Sequence, residues 1–365
     1  MITTLIPTYR RPELLKRAIW SVLNQGVEHV RVCVFDNASE DATREIVRRL
    51  SEDDPRVTYH SHESNIGSIA NFNFALASVE TPFFSVLSDD DMLLPGFYTR
   101  ALCELSGTTD ASFYCGRSAV FDISRDTVRS YGKTWRAGLY KPTEHAILRM
   151  IAEHFPWGGI LFRRSVLDSI GRLDASGSDD NFVVMASAQH PFIVSDSHTA
   201  VFFNHPGGFT GGLLNAGSQS SGDGPSAYLG ELISRPHQLQ AEILASPHID
   251  LETKLAAVGA LSSEMRKDLL AYFLFMVMPA HRPAEMQVVR EALDSVGLSV
   301  VWRLLLTVFQ LIARRGGLLA VAQARISRTL VTARDARRAR RSRRDPLDAW
   351  VRREVAQAAD AAARL

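Results

Sequence analysis

Three consecutive carboxylates, Asp89, Asp90 and Asp91, follow the apolar run Phe83 to Leu87 and precede Met92-Leu93-Leu94-Pro95, so a strand ends in a cluster of like charges. Crowded carboxylates repel and raise one another's pKa, whereas a hard divalent cation takes oxygen ligands of this kind. A solvated acidic turn is the alternative. The strand before the acids and the Pro95 helix start after them favour a metal and nucleotide site. Further along, Ser178-Asp179-Asp180 opens a helix carrying Phe182, Val183, Met185 and Ala186, where acids also serve as caps on the helix dipole. Trp157-Gly158-Gly159 joins a large flat ring to glycines that admit close approach; it suits a sugar's apolar face or a core position. Phe202-Phe203-Asn204 ends a strand in His205, either a metal ligand or an ordinary loop histidine.

These groups need a scaffold, and the first half of the chain repeats a strand-then-helix rhythm that builds a parallel sheet with binding loops at its carboxyl edge. Thr3 to Pro7 reads as a first strand. Pro12 opens a helix to Gln25 with Leu15, Ala18, Ile19, Val22 and Leu23 at helical spacing. Val30 to Phe35 is a second strand, apolar enough to be buried on both faces, and ends in Asp36-Asn37-Ala38-Ser39. Asp41 caps the next helix, which carries Ile46, Val47 and Leu50. Val57 to His60, Ser68 to Val79 and Phe83 to Leu87 supply a third strand, a third helix and the strand that delivers the acids. The fold class is therefore α/β, Rossmann-like in its first half.

Leu5-Ile6-Pro7-Thr8-Tyr9, the Ser21 to Gln25 stretch, Phe35-Asp36-Asn37-Ala38-Ser39 with Asp41 and Thr43, Asn65-Ile66-Gly67 with Asn71, and the Ser-Asp-Asp-Asp run together resemble bacterial-type family 2 glycosyltransferases of the GT-A fold. The likeness continues through Gly159 to Leu167, Ile170-Gly171, Leu173-Asp174 and Asp179-Asp180, covering about residues 1–210. The order of the pieces carries the resemblance; an Asp-Asn-Ala-Ser alone is a common turn. It implies transfer of a sugar from a nucleoside diphosphate, with a divalent cation, Mn2+ or Mg2+, as the Lewis acid at the leaving diphosphate. The family's Asp-x-Asp aligns on Pro95 with Ser88 in place of the first acid. That puts the metal ligand on Asp90, with Asp89 facing the ribose or sharing the metal, and Asp91 behind them or as an alternative ligand. Asp36 would accept the ring N–H of uracil or thymine, favouring UDP or dTDP; an Asx turn closing the strand is its alternative. Pro7, Thr8 and Tyr9 would line the base, and Asn65 and Gly67 the exit of the third strand, where a helix N-terminus favours an anion. Arg10 and Arg11 would meet phosphate or be solvated.

On the acceptor side the resemblance makes Asp180 the general base, with Asp179 its neighbour and second candidate. Trp157 and Gly158 are expected against the acceptor, and His205 as a further metal ligand. A base opposite the leaving group implies one displacement and an inverted anomeric centre. The acceptor would be a hydroxyl of a glycan, a glycolipid or a small molecule. Two other classes stand beside this one. A nucleotidyltransferase also uses carboxylates at strand ends, but Pro7-Thr8-Tyr9-Arg10 stands where a glycine-rich phosphate loop would follow the first strand. A non-catalytic, membrane-recruited nucleotide-sugar-binding module would keep the fold and lose the base.

With 365 residues, 46% apolar and 22% charged, the chain has room for more than one domain. The expected organisation is a catalytic domain over 1–210, a Gly/Ser-rich loop or linker over 211–225, and a mostly helical region with a basic tail over 226–365. Cys33, Cys103 and Cys115 show no metal spacing, so a reducing, cytoplasmic setting without disulfides is expected. The core strand at the N-terminus suggests no signal peptide.

The net charge of +1 conceals an asymmetry: from Val300 onward there are 15 arginines, no lysine and five acids, so residues 1–299 carry −9. Val301, Leu305, Val308, Phe309 and Ile312 form a helical stripe opposite Arg303, Thr307, Gln310 and Arg314, upstream of the dense Arg334 to Arg344 segment. Such a helix either lies on an anionic membrane, peripheral to its inner face, or packs on the catalytic domain or a second copy in a homodimer. Arginines without interleaved aromatics give no reason to expect nucleic acid as a partner.

Overall fold

The computed structural model describes residues 1–173, 179–205, 208, 227–273, 283–297 and 345–364. Two compact units divide the chain, one of residues 1–204 with 342–365 and one of 205–341.

In the first unit β1 (Ile2–Thr8), β2 (Val30–Asp36), β3 (Val57–Ser61) and β4 (Phe83–Val86) alternate with α1 (Pro12–Leu23), α2 (Thr43–Asp53) and α3 (Ser68–Ala77). The strands pair in parallel in the order β3-β2-β1-β4, so their carboxyl ends share one edge of the sheet. Every residue of β1 is buried, as a central parallel strand requires. Asp41 accepts the Thr43 N–H at 2.9 Å in a turn just ahead of α2, but the N-cap itself is Ala42, which has no side-chain acceptor, so the expected Asp41 cap is displaced by one residue.

The rest of the sheet is mixed. It contains β5 (Met92–Leu93), β6 (Phe113–Asp122), β7 (Thr127–Tyr131), β8 (Gly138–Tyr140), β9 (Ile160–Arg163) and β10 (Phe192–Asn204). Between them run α4 (Phe97–Gly107), α5 (Glu144–Ala152), a 3-10 turn over Trp157–Gly159, α6 (Val166–Ile170) and α7 (Asp179–Gln189). β9 lies antiparallel between β4 and β6, and β10 runs parallel to β6 and antiparallel to β5.

Buried polar contacts fix the segment that follows the acids. Ser21 Oγ accepts the Leu93 N–H, and Gln25 donates to the Leu94 carbonyl while accepting the Phe97 N–H, each at 3.0 Å. The Ser21 to Gln25 stretch thus clamps α1 to β5 and the start of α4. Behind β1 and β4, the Tyr98 hydroxyl meets Thr4 Oγ1 at 2.6 Å and Ser85 Oγ at 2.8 Å.

One more helix, α8 (Pro346–Ala362), falls in this unit. Its Val351 and Ala358 are buried in a cluster with Met92, Leu94, Ala119, Val128, Val201 and Phe203. Arg352 Nη1 pairs with Asp126 Oδ1 at 2.6 Å, and its guanidinium lies 5.0 Å from the centre of the Phe121 ring.

The second unit contains α9 (Ala227–Ala245), α10 (Leu251–Tyr272) and α11 (Pro283–Ser295), with Leu229, Met265, Leu269, Phe273, Met286, Val289 and Leu293 in its core. The Gly/Ser-rich 211–225 segment and the basic stripe over 301–344 lie outside the described residues. Among the described residues no helix is long and apolar enough to cross a membrane.

Candidate active site

After β4 the chain turns, with the Asp91 N–H donating to the Ser88 carbonyl at 3.1 Å. Thr8, the last residue of β1, donates from Oγ1 to Asp89 Oδ2 at 2.7 Å. Arg11 Nη1 lies 3.0 Å from Asp89 Oδ1 and 2.8 Å from Asp90 Oδ2, so one guanidinium nitrogen bridges the two carboxylates. Of the two readings held for Arg11, phosphate or solvent, neither describes this contact. Arg17 donates to the Asp90 carbonyl and sits 3.8 Å from the centre of the Phe203 ring. Asp91 Oδ1 accepts the Phe203 N–H at 2.9 Å, which ties the acidic turn to the end of β10.

The three acids are buried, with 5%, 9% and 6% exposure for Asp89, Asp90 and Asp91. Burial pushes the Asp89 carboxyl up, Asp90 adds to it, and Arg11 and Thr8 oppose it. Asp91 is raised well above the ordinary carboxyl range by burial and by Asp90, against the Phe203 N–H and Arg17. The Arg17 guanidinium is lowered by burial, despite Asp91 and Asp90.

The loop after β2 closes on Asp36, whose Oδ1 accepts from the backbone N–H of Ser39 at 3.0 Å and from its hydroxyl. Asp36 Oδ2 accepts from the Tyr59 hydroxyl at 2.6 Å, and the residue is 2% exposed. The turn-closing role is therefore present. A base-reading role has to use the lone pairs that remain on an ionised carboxylate. Tyr59 is pushed up to about 12 by burial, then by Asp36. Ser39 also reaches across to the first loop, where its Oγ accepts the Arg10 N–H at 2.9 Å. Arg10, Ala38 and Glu40 all hold φ near +55°, at +56°, +58° and +54°, a conformation that costs an L-residue energy and here concentrates at the two loop tips. Tyr9 is 37% exposed, with the Arg10 guanidinium 5.0 Å from the centre of its ring, whereas Pro7 is buried in β1.

Asn37, not singled out as a site residue by sequence, organises the neighbouring loop. It donates to Asn65 Oδ1 and accepts the Ile66 N–H, both at 2.9 Å, and Asn65 Oδ1 also takes the Gly67 N–H at 2.9 Å. Gly67 caps α3 at φ +88°, where a side chain would be strained. Asn71 holds the loop from the other side, donating to the Phe35 carbonyl at 2.9 Å.

Asp179 and Asp180 open α7, and Asp180 Oδ1 lies 2.8 Å from His154 Nε2. Asp180 is about one-third exposed, with a side-chain value of 34%.

Trp157 and Gly158, expected against the acceptor, are both buried. Trp157 is 4% exposed and lies between Phe72, stacked 5.7 Å away at 5°, and Phe182 at 5.5 Å. This packing is that of the core position, the alternative reading of the ring. Gly158 is buried too, and the tight position is Gly159, where an added Cβ would come within 2.7 Å of Thr199 Oγ1. These glycines serve packing against β10. His205 begins the second unit, so the acids of the first unit are described without it.

Could this turn hold a cation? The described residues contain no ready-made cluster of three His, Cys, Asp or Glu side chains. Yet Asp89 and Asp90 already converge on a single cationic nitrogen, and hard carboxylate oxygens are what Mg2+ or Mn2+ takes, with phosphate and water completing the shell. The donor set fits.

The sequence model of glycosyl transferase family 2 matches residues 3–171. A GalNAc(5)-diNAcBac-PP-undecaprenol beta-1,3-glucosyltransferase of Campylobacter jejuni is 34% identical over 96 residues, 26% of this chain and 31% of that protein. A chondroitin synthase of Pasteurella multocida is 27% identical over 156 residues, 42% of this chain and 16% of that protein. The chain thus spans a third or less of the length of these relatives. S. aureus TarS 1-349, solved in complex with UDP-GlcNAc, superposes with a TM-score of 0.59 at 16% identity, covering 81% of this chain and 80% of that one. A likeness of this kind shows a shared fold, and it is the GT-A fold with additional helices at the C-terminus.

Proposed function

Residues 3–171 are a glycosyl transferase family 2 domain, and from that premise we propose that the protein is an inverting glycosyltransferase. Its donor is a nucleoside-diphosphate sugar, UDP or dTDP favoured, and its acceptor a hydroxyl of a glycan, glycolipid or small molecule. The observation that carries this reading is the convergence of Asp89 and Asp90 on one Arg11 nitrogen, at 3.0 and 2.8 Å, at the carboxyl edge of a parallel sheet. Two carboxylates held together by one cation are prepared for another.

Asp90, with Asp89, would hold Mn2+ or Mg2+, which when bound supplies Lewis-acid stabilisation of the departing diphosphate. The chain's own residues do the rest. Thr8 orients Asp89 through its 2.7 Å hydrogen bond, and Asp91 and Arg17 fix the turn from beneath. Arg11, released from the carboxylates, becomes a cation for the diphosphate at the mouth of the same loop. Tyr9 offers a half-open ring to the base, and Asp36, held by Ser39 and Tyr59, offers its remaining lone pairs to an imide N–H. Asn65 and Gly67 set the start of α3, whose N-terminus favours the anion. Asp180 takes the acceptor's proton, with Asp179 beside it in the first turn of α7.

The test is to offer UDP-, dTDP-, GDP- and ADP-sugars with Mn2+, Mg2+ or a chelator and to follow nucleoside diphosphate release, then read the product's anomeric configuration by NMR. Cation-dependent release of UDP or dTDP with inversion is expected. Full release in a chelator would remove the metal, a retained configuration would remove the single displacement, and pyrophosphate release from a nucleoside triphosphate would favour a nucleotidyltransferase.

A further inference from the structure

The Asp180 carboxylate in the first turn of α7 meets a histidine from another part of the chain. His154 lies between α5 and the Trp157–Gly159 turn, and its Nε2 is 2.8 Å from Asp180 Oδ1. An ionised carboxylate only accepts hydrogen bonds, so this ring nitrogen carries the proton.

The backbone on both sides of His154 is pinned. Glu153 takes the Gly132 N–H on Oε1 at 3.0 Å and the Thr134 hydroxyl on Oε2, and its carbonyl accepts the Trp135 indole N–H at 2.8 Å. Phe155 is fully buried, 5.3 Å from the Trp135 ring. At Gly132, φ is +82° and a Cβ would come within 2.8 Å of the Phe155 ring, so the β7 turn and the His154 loop are fitted to each other. A histidine whose neighbours are both anchored can hold a carboxylate in one orientation at little entropic cost.

Among the described residues, Tyr131 lies against the pair and itself feels the charges of Asp180, Glu153, Arg129 and Asp179. The Tyr131 ring centre is 6.0 Å from that of His154, and its phenol is pushed up to about 12 by burial and then by Asp180, so it keeps its proton and does not compete as a base.

We propose that His154 is the positioning residue of the general base: its Nε2–H holds Asp180 Oδ1 so that Oδ2 is aimed at the acceptor hydroxyl. This rests on the reading of Asp180 as the base. The acceptor O–H proton passes to Oδ2, the acceptor oxygen forms its bond to the anomeric carbon, and the bond from that carbon to the diphosphate oxygen breaks with its electron pair leaving on the diphosphate. The imidazole makes and breaks no covalent bond. Its Nε2, the ring nitrogen that faces Asp180, is committed to that bond, which favours a supporting role over that of the base itself.

Two measurements on the full chain test this. Nitrogen-15 NMR of the histidine rings, at a pH where they are neutral, needs no donor: His154 should be the Nε2–H tautomer, and Asp180→Asn should abolish that preference. A mixed tautomer in the parent protein would overturn the pairing. The second measurement follows UDP release from UDP-glucose with Mn2+, beside UDP binding by calorimetry. His154→Ala should lower kcat about 10–100-fold with UDP affinity within about twofold, and His154→Gln, which keeps an N–H donor, should recover most of the loss. Asp180→Asn should lower kcat about 10²–10⁴-fold. A His154→Ala rate near normal while Asp180→Asn is impaired would sink the positioning role alone. Near-normal rates for both, or no release by the parent protein, would sink the reading of Asp180 or of the donor, leaving the NMR result to judge the pair.

Discussion

The Asp91 carboxylate accepts the backbone N–H of Phe203 at 2.9 Å, and through that bond the last helix of the chain reaches the acidic turn. The Phe203 ring carries the Arg17 guanidinium at 3.8 Å, and Arg17 donates to the Asp90 carbonyl. On its other side Phe203 shares a buried cluster with Val351 and Ala358 of α8. Position along the sequence gives no hint of this connection, since 260 residues separate Asp91 from Val351.

Shaving Val351 to Ala should therefore cost about 1–3 kcal/mol of stability, the range for lost buried methyl groups. It should also weaken cation-dependent UDP binding, because the floor beneath Asp90 and Asp91 loosens. Urea denaturation and calorimetry check the two halves. Lost stability with unchanged UDP affinity would confine α8 to a role in folding.

Asp90→Asn should remove most cation-dependent UDP binding, since an amide supplies no anionic charge to the metal. Asp89→Asn should do less, because the amide oxygen can keep the hydrogen bond from Thr8. Calorimetric titration with UDP in Mn2+ and in chelator reads both. An Asp90 variant that binds as the parent protein does would move the cation elsewhere.

Arg11→Ala makes a prediction of opposite sign for metal and nucleotide. The guanidinium now neutralises Asp89 and Asp90, so its loss should tighten Mn2+ alone by on the order of tenfold while weakening UDP by a similar factor. Electron paramagnetic resonance of free Mn2+ gives the first value. If both affinities fall together, Arg11 is a strut of the loop and not a competing cation.

What the sequence made legible follows from local physics. The apolar strands ending in Asp36 and Ser88-Asp89 and the Pro12 helix start were readable because burial and backbone geometry act over a few residues. β5, only Met92 and Leu93, and β8, only Gly138 to Tyr140, carry too short a pattern to stand out, and β7 is a half-polar strand paired with β6. Trp157 stayed open between two readings because a tryptophan beside glycines reads alike in a cleft and in a core; its neighbours Phe72 and Phe182 are chosen by tertiary packing. The partners of Arg11, Arg17 and His154 escaped for the same reason. Each lies more than 25 positions from the acid it serves, or reaches it through another strand.

Alkaline stability tests the buried hydroxyl group behind β1. Burial holds the Tyr98 phenol at about 12 against a usual 10.0, despite its bonds to Ser85 and Thr4. Between those values the unfolded chain has lost the proton and the folded chain keeps it, so stability falls as pH rises, by up to about 1.4 kcal/mol per pH unit. Tyr98→Phe should cost about 1–3 kcal/mol near pH 8, where it leaves Thr4 and Ser85 short of a partner, and much less near pH 11. Urea midpoints at both values decide it; a gap that does not narrow would mean that Tyr98 is not the titrating group.

Base selection is the last expectation, and Asp36 makes it demanding. Its Oδ1 already accepts two hydrogen bonds from Ser39 and its Oδ2 one from Tyr59, so a nucleobase must use a remaining lone pair on a residue that is 2% exposed. An acceptor of that kind rewards a neutral ring N–H, which uracil and thymine present, and offers nothing to the acceptor N1 of adenine. UDP and dTDP should compete for the site with ADP at least about tenfold weaker, a difference of one charge-assisted hydrogen bond. Tyr59→Phe leaves the carboxylate with one fewer internal donor and should keep or sharpen that preference, whereas Asp36→Ala should flatten it. Equal competition by ADP and UDP in the parent protein would assign Asp36 wholly to the loop it closes, with Ser39 and Tyr59 as its only clients.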